Sequence, residues 1–173
     1  MTARVIVLAG PSGAGKSHLA KRVGLPVLRL DDFYKDGDDP SLPCVDLGGG
    51  TTVVDWDDAA SWSREDSLAA IESLCRDGAP LFIAEGIFAQ EVIAGCREAG
   101  VLAEALCITQ HPLLTAVRRL TRDLAERRKS PLVLVKRGWH LMRAQPSVVA
   151  DAVAHGARVA SPDEAFEIIQ RLS

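Results

Sequence analysis

Eight residues near the start of the chain have the types and spacing of a phosphate-binding loop. They run from Gly10 to Ser17 and read GPSGAGKS, which fits the pattern GxxxxGK[ST]. Glycines let the backbone turn its N–H groups inward around phosphate oxygens, and the helix that follows adds the partial positive charge of its N-terminus. In this pattern Lys16 reaches the β and γ phosphates and Ser17 is a ligand of Mg²⁺. The segment therefore predicts binding of a nucleoside triphosphate.

Acidic residues that follow predicted strands could serve a phosphoryl transfer. Asp31 ends the second predicted strand, and transfer to an alcohol needs a carboxylate near the acceptor hydroxyl as general base. Asp32 competes with it, and because successive residues leaving a strand point opposite ways, only one of the two should face the site. Glu85 ends the apolar segment LFIAE, where a carboxylate can hold Mg²⁺. Each of these acids could instead be an ordinary surface residue.

A dense basic segment lies in the second half of the chain. Its six basic residues are Arg118, Arg119, Arg122, Arg127, Arg128 and Lys129. Such a run is usually a solvated helix face, and Arg122 could pair with Glu126 four residues on. In a chain with a phosphate loop the basic segment also predicts a lid over residues 118–143. Arginine binds phosphate oxygens through two N–H groups at once and stabilises a transferring phosphoryl group. Such a lid would exclude water when it closes.

The order of strands and helices brings these residues to one edge of a sheet. Apolar runs predict strands over residues 4–9, 27–30, 81–84, 105–109 and 158–160. Because helical segments alternate with them, the fold class is α/β, an open parallel sheet of about five strands with helices on both faces. Ligands of such sheets bind beyond the carboxyl ends of the strands. The phosphate loop, Asp31 and Glu85 all fall at those ends.

Apolar stripes and capping residues predict the helices. These cover residues 16–23, a stretch from Asp57 or Asp58 to about Asp77, and residues 90–99, 111–128, 131–142 and 146–155. Ser161 caps a last helix, with a proline at its first position. The segment Lys35–Gly50 is rich in Asp, Gly and Pro and is predicted to be a loop, long enough to favour a functional role or mobility.

Length and composition exclude several classes of protein. The 173 residues fit one domain spanning residues 1–173. A hydrophobic fraction of 47% with 25% charged residues is typical of globular chains, and no apolar run approaches the roughly 18 residues of a membrane span. The net charge of −3 gives no overall attraction for nucleic acid. The four cysteines form no CxxC pair, so we expect reduced thiols in a cytoplasmic protein.

Five segments, in this order, resemble the uridine kinase branch of the P-loop kinases, a group that also includes nicotinamide riboside and pantothenate kinases. They are GPSGAGKS at 10–17, LDDFYK at 30–35, VDWDDA at 54–59, IAEGIF at 83–88 and RRLTRDLAERRK at 118–129. The resemblance implies an enzyme that uses ATP and Mg²⁺ and transfers the γ-phosphoryl group to a hydroxyl of a nucleoside-like acceptor. The partner implied is that small molecule, with no nucleic acid and no membrane, and self-association is left open.

The same resemblance implies roles for single residues. Asp31 matches the catalytic Asp, Tyr34 an aromatic residue that shapes the acceptor site, and Asp55 the Asp that binds ribose hydroxyls. Trp56 joins them as a substrate-binding residue, and Ser17 and Glu85 hold the metal. The catalytic residues implied are Asp31, Lys16 and Arg122. The ATP-binding residues implied are Gly10, Ser12, Gly13, Ala14, Gly15, Lys16, Ser17, His18, Arg119, Arg122 and Arg127.

The acceptor end departs from the family pattern. Uridine kinases have a longer segment between the ribose-binding Asp and the Glu-Gly strand, including residues that read the pyrimidine, and here only one helix fits between Asp55 and Leu81. Trp56 and Trp62 could replace those residues by stacking on a base, or could lie in the core. The acceptor could therefore be another nucleoside or a small polyol-like alcohol. Two further alternatives stay open: a regulatory ATP-binding protein without phosphotransfer, and a kinase of a non-nucleoside alcohol.

Overall fold

Residues 4–46, 52–78, 80–111 and 145–173 are described by the computed structural model, and they build an α/β fold around a five-stranded sheet. Its strands are β1 (Arg4–Ala9), β2 (Val27–Arg29), β5 (Leu81–Glu85), β6 (Leu102–Ile108) and β7 (Arg158–Ala160). Their order across the sheet is β2-β5-β1-β6-β7, and every neighbouring pair is parallel. The predicted parallel sheet is confirmed.

Helices pack on both faces of this sheet. They are α1 (Lys16–Val23), α2 (Arg64–Arg76), α3 (Ile93–Glu98), α4 (residues 145–154, as far as it is described) and α5 (Pro162–Gln170). Among the described residues, none of the helices has the length and apolar character that crossing a bilayer requires. The helices predicted over 111–128 and 131–142, and the lid predicted over 118–143, lie outside the described residues apart from His111.

The alternation of side chains along β1 divides the core into two layers. Val5 and Val7 face one layer, which contains Ile71 of α2 and the apolar side of α3 and α4. Ile6 and Leu8 face the other layer, where α1 and α5 pack. A strand that is buried on both faces reads as a continuous apolar run, and this is the pattern from which β1 was predicted.

The loop predicted over Lys35–Gly50 is wrong in part, because the segment contains a strand. β3 (Cys44–Asp46) pairs antiparallel with β4 (Thr52–Val54) in a separate two-stranded sheet. Val45 and Val53 are paired across it and are both exposed. Strands of three residues with an exposed apolar pair lack the alternation that reveals a half-buried strand, so the sequence pattern did not predict them.

Element boundaries differ from the prediction where a short 3₁₀ turn precedes a helix. α2 begins at Arg64 instead of at Asp57 or Asp58, because Ser63 is its N-cap and accepts a hydrogen bond from the Asp66 N–H. Asp58 caps a separate 3₁₀ turn over Ala59–Ser61. The helix predicted over 90–99 likewise begins as a 3₁₀ turn (Ala89–Val92) before α3. The last helix follows the prediction, with a complete capping box from Ser161 to Glu164.

Candidate phosphoryl-transfer site

The phosphate loop lies between β1 and α1, where the sequence pattern predicts it. Gly10, Gly13 and Gly15 have positive φ angles of 124°, 84° and 99°, a conformation that side chains other than glycine rarely adopt. Space also requires glycine at position 10, because a Cβ there would lie 2.4 Å from the carbonyl oxygen of Ile108. Ala14, within the loop, is buried. The loop is therefore a tight turn whose backbone can face a bound anion.

Lys16 lies across this loop. Its Nζ donates hydrogen bonds to the carbonyl oxygens of Gly10 at 2.7 Å and Pro11 at 3.3 Å, and only 8% of the residue is exposed. A buried ammonium group is stable only where acceptors surround it. The side chain thus places a fixed positive charge inside the turn, at the position where the motif brings a lysine to phosphate oxygens.

Ser17 and Glu85 meet at the carboxyl end of β5. The Ser17 hydroxyl donates to Glu85 Oε1 at 2.8 Å, and Glu85 is 7% exposed. β5 includes Glu85 itself, one residue beyond the predicted strand, and pairs it with Leu8 of β1. Carboxylate and hydroxyl oxygens are the ligands that Mg²⁺ prefers. The donor set of this pair therefore fits the metal predicted for it.

Asp31 lies on the other side of the same strand end. Its Oδ1 accepts a hydrogen bond from the backbone N–H of Ile87 at 2.9 Å. Gly86 lies between the two strand ends, and a Cβ on it would come within 2.9 Å of both Asp31 Oδ1 and Leu30 Cβ. The approach of Asp31 to Ile87 therefore requires the absence of a side chain at position 86. Gly86 and Ile87 both occur in the segment IAEGIF, but the sequence motifs gave neither of them a role beside Asp31.

Strand geometry does not select between Asp31 and Asp32, contrary to the prediction. β2 ends at Arg29, and both acids lie in a 3₁₀ turn over Leu30–Phe33. In a turn of this kind successive side chains do not alternate as they do on a strand. The hydrogen bond from Ile87 favours Asp31 on independent grounds, and its assignment as the base stays a prediction.

Four aromatic side chains extend from the core to the surface beside the turn that carries Asp31. Trp62 is buried (4% exposed) and donates from Nε1 to the carbonyl oxygen of Leu30 at 2.7 Å. Phe88 lies with its ring centroid 6.0 Å from that of Trp62, Tyr34 6.1 Å from Phe88, and Trp56 5.9 Å from Tyr34. Of the two tryptophans considered for stacking, Trp62 is a core residue and Trp56 is exposed.

Tyr34 and Asp55 are held by contacts around β4. The Tyr34 hydroxyl donates to the backbone carbonyl of Trp56 at 3.3 Å. Asp55 follows β4, and its Oδ1 accepts from the Asp57 N–H at 3.1 Å. Its role toward ribose hydroxyls stays a prediction. His18, predicted to contact ATP, is exposed on α1, whereas Arg119, Arg122 and Arg127 lie outside the described residues.

Comparisons with known proteins support the fold. No protein-family model and no curated protein matches this chain. The crystal structure of TT1252 from Thermus thermophilus matches with a TM-score of 0.57 at 19% identity, over 99% of this chain and 98% of that one. An uncharacterized protein from Eubacterium ventriosum ATCC 27560 matches with a TM-score of 0.51 at 13% identity, over 98% and 97%. At such identities the likeness concerns the fold alone, which with the phosphate loop is of the P-loop α/β class.

Proposed function

We propose that this chain is an ATP-dependent small-molecule kinase that transfers the γ-phosphoryl group of Mg·ATP to a hydroxyl of a nucleoside-like acceptor. One juxtaposition supports it above all others. Glu85 and Ile87, two residues apart, bond to Ser17 at 2.8 Å and to Asp31 at 2.9 Å. Extended chain advances about 3.3 Å per residue, and the chain turns after Glu85, so the metal-binding pair and the candidate base are attached at most roughly 7 Å apart along the backbone.

On the donor side, the residues bind and orient phosphate. The backbone N–H groups of the loop and the N-terminus of α1 provide donors and partial positive charge for phosphate oxygens. Lys16 adds a full charge, and Ser17 with Glu85 would hold Mg²⁺. When bound, Mg·ATP supplies the phosphoryl group and neutralises much of the charge that develops during transfer. A protein that only binds Mg·ATP needs the loop, the lysine and the metal-holding pair, but it has no need of a second carboxylate, Asp31, held beside them.

On the acceptor side, Asp31 would accept the proton of the attacking hydroxyl. The Ile87 N–H fixes Oδ1, so the orientation of the carboxylate is set before an acceptor arrives, which is how positioned general bases gain efficiency. Asp55 would orient the acceptor through its hydroxyls, and Tyr34 and Trp56 would form its wall. The exposed ring of Trp56 favours an acceptor with a flat ring, since aromatic rings stack on planar bases.

The test of this function is a screen for the acceptor. Purified protein with Mg·ATP is incubated with nucleosides, ribosides, pantothenate, sugars and polyols in turn, and ADP release is measured against a no-acceptor control. We expect a nucleoside or riboside to raise ADP output and to yield its 5′-monophosphate. Tight ATP binding with no acceptor-dependent ADP would instead support a regulatory nucleotide-binding protein, and response to sugars or polyols alone would support a non-nucleoside kinase.

A pair of neighbouring variants tests the base. Asp31→Asn should lower kcat by about 10²–10⁴-fold, the usual contribution of a general base, while the Kd for ATP stays near that of the wild type. Asp32→Asn is the matched control, because it makes the same chemical change one residue along the same turn and should leave kcat within a few-fold of the wild type. A large loss of kcat in Asp32→Asn and not in Asp31→Asn would overturn the assignment.

A further inference from the structure

A cluster of metal-binding side chains lies apart from the phosphate loop. Glu91, Asp151 and His155 each offer one ligand atom, and these atoms all lie within 4.8 Å of one another. Glu91 belongs to the 3₁₀ turn over Ala89–Val92, Asp151 lies on α4, and His155 immediately follows that helix. The side chains of Glu91 and His155 are about 30% exposed, so an ion could reach them from solvent.

The hydrogen bonds of His155 leave a lone pair facing a carboxylate. Its Nδ1 lies 2.9 Å from the backbone carbonyl oxygen of Asp151, which can only accept, so Nδ1 carries a hydrogen. In the neutral ring Nε2 is then unprotonated, and it lies 3.8 Å from Glu91 Oε2. Both atoms are acceptors, so a metal ion between them would satisfy the two lone pairs together. An Nδ1–H held by a carbonyl is also how metal-binding histidines are commonly oriented.

Gln90 holds one carboxylate of the cluster in place. It is 6% exposed, and its Nε2 donates to Asp151 Oδ2 at 3.0 Å. Carboxylates that bind metal ions are commonly oriented by such a hydrogen bond from a neighbouring group. The orientation of Asp151 is therefore set before an ion binds.

We propose that Glu91, Asp151 and His155 bind a divalent transition-metal ion of the Zn²⁺ type, with Gln90 orienting the carboxylate of Asp151. Imidazole with carboxylates suits Zn²⁺ better than Mg²⁺ or Ca²⁺, which prefer oxygen ligands alone. Ligand atoms on one tetrahedral zinc ion are about 3.4 Å apart for bonds of about 2.1 Å, so closing the cluster needs side-chain movements of only about 1 Å. This inference is independent of the proposed kinase activity.

The position of the cluster indicates what the ion would do. Glu91 follows the strand end that bonds Ser17 and Asp31, four residues after Ile87. Asp151 lies on α4, the first described element after residues 112–144. The ion would therefore join the segment that follows the phosphoryl-transfer site to α4, the helix that follows residues 112–144. It would be a structural link, with both sides already packed in the same core layer.

The experiment measures Zn²⁺ binding by the intact chain after treatment with a chelator. Titration calorimetry is carried out in millimolar Mg²⁺, to occupy the phosphate-loop site, and in a Cys44→Ser background, to remove the exposed thiol. We expect one ion per chain with a Kd in the micromolar range, and at a hundred times that Kd a rise in Tm of roughly 5–10 °C. Cobalt, used as a spectroscopic probe, should give visible absorption bands from the same site.

Variants decide whether the ion lies in this cluster. His155→Ala and, separately, Glu91→Gln should weaken Zn²⁺ binding by at least roughly tenfold and abolish the Tm shift. His111→Ala and Glu167→Gln make the same changes at exposed positions outside the cluster and should leave both unchanged. Because a metal-free unfolding curve accompanies each variant, loss of folding is distinguished from loss of binding. Absent Zn²⁺ binding, or binding that both cluster variants retain, would overturn the proposal and leave His155 as an ordinary neighbour of Glu91.

Discussion

The donor and acceptor sides of the candidate site are built in different ways. The donor side consists of one continuous loop between β1 and α1, completed by Glu85 at the end of the buried strand β5. The acceptor side is assembled from a 3₁₀ turn, a two-stranded hairpin and a row of aromatic rings. Lys16 is buried, whereas Trp56 is 42% exposed. The donor side is therefore a fixed loop, whereas the acceptor side is a surface that several separate segments form together.

The contacts that hold the acceptor side are distant in sequence. Tyr34 bonds Trp56 across 22 positions, Trp62 bonds Leu30 across 32, and Ile87 bonds Asp31 across 56. Within the phosphate loop, by contrast, Lys16 bonds carbonyl groups five and six positions away, although the bond from Ser17 to Glu85 spans 68 positions. Local contacts constrain the sequence as a recognisable motif, and distant ones do not. The loop itself is therefore easier to identify from sequence than the acceptor side.

The largest effect is expected on the donor side, from Lys16→Met. The variant removes the charge that faces bound phosphate and leaves the carbonyl oxygens of Gly10 and Pro11 without their donor. We expect acceptor-dependent ADP release to fall by about 10³-fold, as in other losses of transition-state charge stabilisation. Lys21→Met on the exposed face of α1 is the control. Substantial activity in Lys16→Met would show that the phosphate loop does not bind the transferring group.

The extent to which the sequence predicted this arrangement also differs between the donor side and the acceptor side. The phosphate loop, the five strands of the main sheet and the position of Glu85 were predictable, because local pattern and apolar runs encode them. The 3₁₀ turn after β2 was not, since a turn of four residues has no period of its own. The start of α2 at Arg64 was missed because Asp58 and Ser63 are both of types that cap helices, and Asp58 instead caps a separate 3₁₀ turn.

Residues whose roles depend on contacts far apart in the sequence could not be predicted either. Nothing in the types of Gly86 and Ile87 indicates that one leaves space for Asp31 and the other donates to it. The cluster of Glu91, Asp151 and His155 was missed for the same reason, since its members are separated by up to 64 positions. His155 is half-buried, and sequence alone gave no reason to distinguish it from a surface histidine.

A smaller but more selective effect is expected from Gly86→Ala. The added methyl group would lie 2.9 Å from Asp31 Oδ1 and from Leu30 Cβ, so the turn must move and the carboxylate loses its bond to Ile87. We expect kcat to fall by about 10²-fold, the cost of a displacement near 1 Å at a reacting group, with the Kd for ATP within a few-fold of the wild type. Steady-state kinetics and a nucleotide-binding titration measure the two quantities.

Gly37→Ala is the matched control for that variant. A Cβ at Gly37 has nothing within 4 Å and the residue has no positive φ, so the substitution has the same effect on the unfolded chain without the collision. If both variants lose activity equally, or if Gly86→Ala weakens ATP binding as much as it lowers kcat, donor and acceptor sides are not separable in the way proposed.

A moderate effect on stability is expected from Trp62→Phe. The variant keeps a ring beside Phe88 but removes the Nε1–H, which leaves the carbonyl oxygen of Leu30, a fully buried residue, without its donor. An unsatisfied buried acceptor costs about 1–3 kcal/mol, so the free energy of unfolding should fall by about that amount in urea denaturation. Trp56→Phe changes an exposed ring and should stay within roughly 0.5 kcal/mol. Equal losses in the two variants would contradict the division into core and surface tryptophans.

The smallest perturbation is thiol labelling, which compares the two sides without a substitution. Cys44 on β3 is exposed, whereas Cys107 on β6 and Cys96 on α3 are buried.

Burial raises the pKa of the Cys107 thiol, although the charge of Lys16 opposes this, and burial raises the pKa of Cys96 to about 12. The thiolate is the reactive form, so at pH 9 only about 0.1% of Cys96 would be ionised even if solvent reached it. With a chromogenic disulfide reagent we expect the exposed Cys44 to react quickly, and Cys96 and Cys107 to react only after unfolding. Rapid reaction of Cys107 in the folded protein would mean that the sheet beneath the phosphate loop opens, and that the donor side is less rigid than its hydrogen bonds indicate.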